Sequence, residues 1–378
     1  MFLRCPTPLR RHSSRSVVAA TALVASLAAL TGLTAMSASA ATTTAWTLTA
    51  PTSLRVPAKI STSSTAPAVG PSVPLPVFSK SFTSGGSSFT YQMVGTDPQG
   101  AAATTTVPDT ITPLRFVFQS GGVMTVPPAN LTRVTNSGLF VPKAFPGGTG
   151  QYGDIFMRTQ FWKWINLGGK AWHVNMETPM VLPALTVAVP TGFGNTTTVN
   201  GIRVGLVDID FFDGAVQNYI GAPAENVFTQ LLANNIVLCA RNSAGVEQCG
   251  IGGYHSATPN ATGMHTYLYA SWLNPAIFGS TFANIAPMSH ELAEWLADPF
   301  VNNTVPFWNS PSTAPQYPCN NFLEVGDPLV GFVRSVGGLT YQEEAFVSWF
   351  TRTTPSLGWQ NRFSWFGTFT SSSPSCTP

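Results

Sequence analysis

The amino-acid sequence predicts a single sheet-rich α+β domain over residues 81–378, carrying a metal-binding helix and preceded by a flexible segment. Three observations support that class. Short β-branched and aromatic runs bounded by Gly, Pro and Asn recur along the chain, as strands and their turns do. The best helix candidates are three inserted stretches, and no repeat with a period of about 20–50 residues is evident. The 378 residues include 33 glycines and 31 prolines, short of the roughly 25–30% combined share of low-complexity chains, so a packed core is expected.

In chain order, residues 1–40 read as an export signal: a basic stretch through Arg15, an uncharged run from Ser16 to Met36, and Ala38-Ser39-Ala40 as the cleavage site. The run approaches the ~20 residues of a bilayer span. Its Ala, Ser and Thr content is weakly hydrophobic, so cleavage is expected, with no stable membrane insertion afterwards. Residues 41–80, rich in Thr, Ser, Pro and Ala, read as a flexible lead-in. SFTYQMVG, ITPLRFVFQ, TTTVNGIRVGLVDIDFF and NNIVLCA then read as strands. QYGDIFMRTQFWKWI (151–165), AENVFTQLLANN (224–235) and NIAPMSHELAEWLA (284–297) read as helices. The last should stop at Asp298, because Pro299 disfavours a helical conformation there.

Charge narrows the partners. Only 9% of residues are charged, against 44% hydrophobic and 11% aromatic. Loss of Arg4, Arg10, Arg11 and Arg15 with the signal turns the formal +2 into −2. A nucleic acid or an anionic membrane needs clustered Lys and Arg, so neither is expected as a partner. Beyond the signal stand Cys239, Cys249, Cys319 and Cys376, an even set suited to two disulfides in an oxidising, extracellular setting. Of three connectivities, Cys239 with Cys249 is favoured because LCARNSAGVEQC reads as two strands around a turn. Cys319 would then pair with Cys376.

The segment that carries chemistry is Ser289-His290-Glu291-Leu292-Ala293-Glu294-Trp295. On a helix, His290 and Glu294 lie one turn apart on one face, where an imidazole nitrogen and a carboxylate oxygen can grip one metal ion. Glu291 occupies the place of the general base in the HExxH arrangement, so HExxE is the same design with a carboxylate for the second histidine. Zinc is the expected ion. A third ligand is needed, for which Glu324 is first choice and Asp327 the alternate. His255, after Gly253-Tyr254, stands as a ligand or an oxyanion-stabilising donor, and Asp298 as a residue that orients a ligand. Five of the 16 acidic residues fall between Glu291 and Asp327.

SHELAEWLADPFVNN, Trp308, Cys319, LEVGD and the upstream CGIGGYH together resemble the HELAE-containing secreted proteins that include the plant phosphate-induced, Exordium-like group and bacterial relatives. The resemblance covers about residues 249–327. It implies an extracellular, zincin-like domain with metallopeptidase activity, acting on a protein or peptide substrate. The runner-up expectation is a non-catalytic cell-envelope protein that binds wall polysaccharide and holds a structural or vestigial ion. The Thr/Ser/Pro-rich lead-in, the low charge and the aromatic carboxyl-terminal stretch motivate it, although aromatics at alternating strand positions read first as core; otherwise Trp349, Trp359 and Trp365 would form a platform for sugars or extended peptide.

Other signals rank lower. Gly148 to Gly153 fits GxGxxG, but PKAFPG rather than a hydrophobic strand precedes it, so a turn into the 151–165 helix is expected. Asp208 and Asp210 would share one strand face, with Asp213 beyond, which is compatible with paired carboxylates but reads better as a structural turn. There is no GxSxG elbow.

Overall fold

The computed structural model describes residues 74–377 except 167–168, 221–223, 225, 242–246, 261–262 and 311–317, together with the backbone of two short strands at 19–22 and 46–47. Most of the expected signal and lead-in lies outside the described residues. The first hairpin, Val77–Ser84 with Ser87–Val94, begins four residues ahead of the expected boundary at 81.

Strand accounts for 44% of the structure and helix for 22%, and the main sheet curves as a half-barrel. Its principal strands are β1 (Asp109–Phe118), β2 (Gly194–Val199), β3 (Ile202–Asp208), β4 (Phe228–Asn234), β5 (Ile236–Arg241), β6 (Glu247–Asn260) and β7 (Gly263–Trp272). They lie in the order β1-β4-β7-β6-β5-β3-β2. β4 runs parallel to both neighbours, β1 and β7, whereas β6 is antiparallel to β7 and β5.

Alternation along β7 sorts the two cores. Leu268, Ala270 and Trp272 enter one cluster, Tyr267 and Tyr269 the other, as a period of two requires. On the first face sits α2 (Ala286–Ala297), whose Trp295 stacks on Phe228 of β4 with ring centroids 3.7 Å apart. On the second sits α1 (Ile209–Ile220), contributing Phe211, Phe212 and Val216.

Three expectations are corrected here. The zincin-like part of the fold class does not hold: the domain is organised by a curved mixed sheet, and α2 is covered on every side, all twelve of its residues being buried. Its Ala, Leu, Met and Trp positions leave no solvent stripe, so it is a core helix rather than the wall of an open cleft. The segment 224–235 forms strand β4 instead of a helix; burial on both faces makes its apolar run continuous and erases the alternation that marks a strand. Asp208 ends β3 and its Oδ1 accepts the Phe211 amide at 2.7 Å, so Asp208 begins α1 and does not share a strand face with Asp210.

Helical structure at 151–165 and the favoured disulfide pairing are borne out. The helix forms in two pieces, Tyr152–Gln160 and Trp162–Asn166, and a short strand, Gly148–Gly150, paired with Lys143–Phe145, leads into it where a turn was expected. Disulfides join Cys239 to Cys249 and Cys319 to Cys376. Among the described residues no helix is long and apolar enough to cross a membrane. Trp349 and Trp365 are core residues, packed with Trp308 and Tyr152 respectively.

Candidate metal centre

Three parts of the chain build the centre. β6 supplies His255, α2 supplies His290, Glu291 and Glu294, and the loop after strand Cys319–Phe322 supplies Glu324 and Asp327. α2 starts with Pro287 in its first turn, where a missing N–H costs nothing. It stops at Asp298, whose carboxylate accepts the amides of Asn302 and Asn303, each at 3.0 Å. Pairing with Leu268 of β7 fixes His255 on the sheet face beneath the helix.

Every sequence-predicted site residue arrives here, and none is more than 2% exposed. His255 Nδ1 lies 3.3 Å from Glu291 Oε2 and 3.5 Å from Glu294 Oε2. His290 Nε2 lies 3.1 Å from Glu294 Oε1 and 3.7 Å from Asp327 Oδ1. The Gly326 amide donates to Glu294 Oε1 at 3.1 Å. Two groups can each offer three ligand atoms within 4.8 Å of one another: His255, Glu294 and Glu324, and His290, Glu291 and Glu294. Glu324 Oε2 and His255 Nε2 are buried with no hydrogen-bond partner.

Two glycines permit these approaches. A Cβ at Gly253 would fall 2.8 Å from Glu291 Cγ, and one at Gly326 would fall 2.5 Å from His290 Nδ1 and 2.9 Å from Glu344 Oε2. Glu344 is the acidic residue that sequence reasoning passed over. Its Oε1 accepts the Tyr152 hydroxyl at 2.7 Å while Oε2 is turned toward the His290 side of Gly326. The available signal was Glu343-Glu344, an acidic pair in a chain that uses few.

Burial pulls both histidines toward the neutral form, but the carboxylates outweigh it. Hydrogen bonds to Glu291 and Glu294 hold His255 well above the usual imidazole range, and the charges of Glu294 and Glu291 do the same for His290. Burial raises Glu291, and against the same burial the two histidines lower Glu294. Glu324 and Glu344 are raised chiefly by burial, and Asp298 is pushed up to about 7 by the same cause, tempered by its backbone hydrogen bonds. Imidazole nitrogens mixed with carboxylate oxygens form a donor set suited to zinc or another divalent first-row ion.

Compared with family models, with curated proteins and with solved structures, the chain matches none.

Proposed function

We propose that this chain is an exported metal-dependent hydrolase that holds zinc and acts on peptide bonds. The observation that carries the reading is the His255, Glu294 and Glu324 group, three buried ligand atoms from three separated parts of the chain, one of whose carboxylates has an oxygen with no hydrogen-bond partner. Buried acidic groups of this kind are costly unless a cation balances them. His290 and Asp327 extend the ligand set. The paired cysteines support export.

A divalent ion bound here would acidify water and polarise a carbonyl oxygen. Glu291 is the proton carrier of this reading: burial raises its carboxyl above the usual range, the direction that suits a group that accepts a proton from water and returns it to a leaving amine. His255 fixes the orientation of that carboxylate from the strand side, and Gly326 N–H fixes Glu294. Tyr152 holds the Glu344 carboxylate, whose other oxygen lies against Gly326 on the side that His290 also approaches.

The same burial favours a second reading, a non-catalytic envelope protein with a structural ion, since Glu291 is held against the Gly253 backbone and structural sites are closed. Purified full-length protein, loaded with Zn2+ and offered a peptide library and wall polysaccharide, tests both. Metal with peptide hydrolysis supports the first reading. Metal with polysaccharide retention and no hydrolysis supports the second, and absence of metal overturns both.

A further inference from the structure

We infer that the centre holds two divalent cations bridged by Glu294, a proposal that rests on the metal reading above. The two carboxylate oxygens of Glu294 serve different partners. Oε1 faces His290 Nε2 at 3.1 Å, while Oε2 faces His255 Nδ1 at 3.5 Å. A carboxylate in that posture bridges two ions about 3.5–4 Å apart, as in paired-metal hydrolytic sites.

The two histidines and their other acidic neighbours lie on either side of Glu294. His255 and Glu324 group with Glu294 on the strand side. His290 groups with Glu291 and Glu294 on the other side, where Asp327 Oδ1 also faces His290 Nε2; Glu291 Oε2 in turn lies 3.3 Å from His255 Nδ1. Neither histidine is shared between the two groups, and Glu294 is common to both.

An independent observation points to the strand-side ion. Glu324 is 1% exposed and its Oε2 has no hydrogen-bond partner, although its carboxylate lies within 4.8 Å of ligand atoms of His255 and Glu294. A buried carboxylate oxygen left in that state is stabilised by a cation beside it. Donor supply runs the same way: the buried carboxyls of Glu291, Glu294, Asp298, Glu324, Asp327 and Glu344 and two imidazoles exceed the four ligands that one tetrahedral zinc takes.

The test is stoichiometry, read on the full chain with the metal alone. Metal-free protein titrated with Zn2+ should take up two ions per chain. His255→Ala and His290→Ala should each retain one. Glu324→Gln, which keeps the side-chain volume, should also drop to one and guards against misfolding of the histidine variants. On wild type, two equivalents of Mn2+ should give a spin-coupled paramagnetic resonance signal. One ion per chain, or a Mn2+ signal of uncoupled ions only, overturns the two-ion centre and leaves the proposed function standing. No ion at all overturns both.

Discussion

Nδ1 of His255 lies 3.3 Å from Oε2 of Glu291, across the seam between β6 and α2, with both residues at most 1% exposed. The pair ties the helix that carries the motif to the strand beneath it. It also gives Glu291 one orientation, which is what a proton carrier needs.

Glu291→Gln keeps the volume and a hydrogen-bonding oxygen but removes the basic carboxylate. The variant should bind Zn2+ as wild type does and lose peptide hydrolysis by roughly 10²–10⁴-fold, the usual worth of general acid–base catalysis. Paired measurements of metal content and turnover check this; undiminished turnover would remove Glu291 from its role.

The pH dependence has opposite sign with and without metal. In the metal-free protein His255 and His290 bind protons more tightly folded than unfolded, and so do Glu291, Glu324, Glu344 and Asp298. Raised folded values mean stability that is full at low pH and declines as pH rises through the folded values. Glu294, which is lowered, opposes this only below its ordinary range. Metal requires neutral imidazoles, so Zn2+ affinity should increase with pH and binding should release protons. Denaturant melts of the metal-free form from pH 5 to 8, and calorimetry in buffers of differing ionisation enthalpy, measure the two slopes.

Gly253→Ala and Gly326→Ala probe the close approaches. The added methyl meets Glu291 in one case and His290 in the other, and overpacking of this kind costs about 1–3 kcal/mol. Both variants should melt lower and bind Zn2+ more weakly, whereas Gly214→Ala, with open space around the new Cβ, should leave Zn2+ affinity unchanged.

Much of the centre was legible because its chemistry is local. His290, Glu291 and Glu294 sit on one helix, and scarcity of charge made Glu324 and Asp327 conspicuous. The pairing of Cys239 with Cys249 followed from a two-strand reading that β5 and β6 bear out. What could not be read depends on both faces of an element being covered. Phe228 to Asn234 lost its strand alternation to double burial, and the complete burial of α2 is not visible in SHELAEWLA, whose polar residues face other polar residues inside the protein. Glu344 enters the site only through the fold, which returns the chain past Gly326 beside Tyr152.

The two disulfides should differ in worth. Cys319–Cys376 spans 57 residues and Cys239–Cys249 only 10. On the loop-entropy account their removal costs roughly 4 and roughly 3 kcal/mol. Cys319 also anchors the strand that leads to Glu324, so Cys319→Ser with Cys376→Ser should lower Zn2+ affinity as well as the melting temperature. Cys239→Ser with Cys249→Ser should act on His255 through β6. Melting curves with and without Zn2+ for the two double variants check the order.

The most direct measurement is anomalous X-ray scattering at the zinc edge from crystals of the Zn2+-loaded chain. Anomalous density is expected among His255, Glu294 and Glu324, with a second maximum beside His290 and Asp327. No anomalous density there, with His255 and His290 still paired to Glu291 and Glu294, would contradict the claim that this is a metal centre.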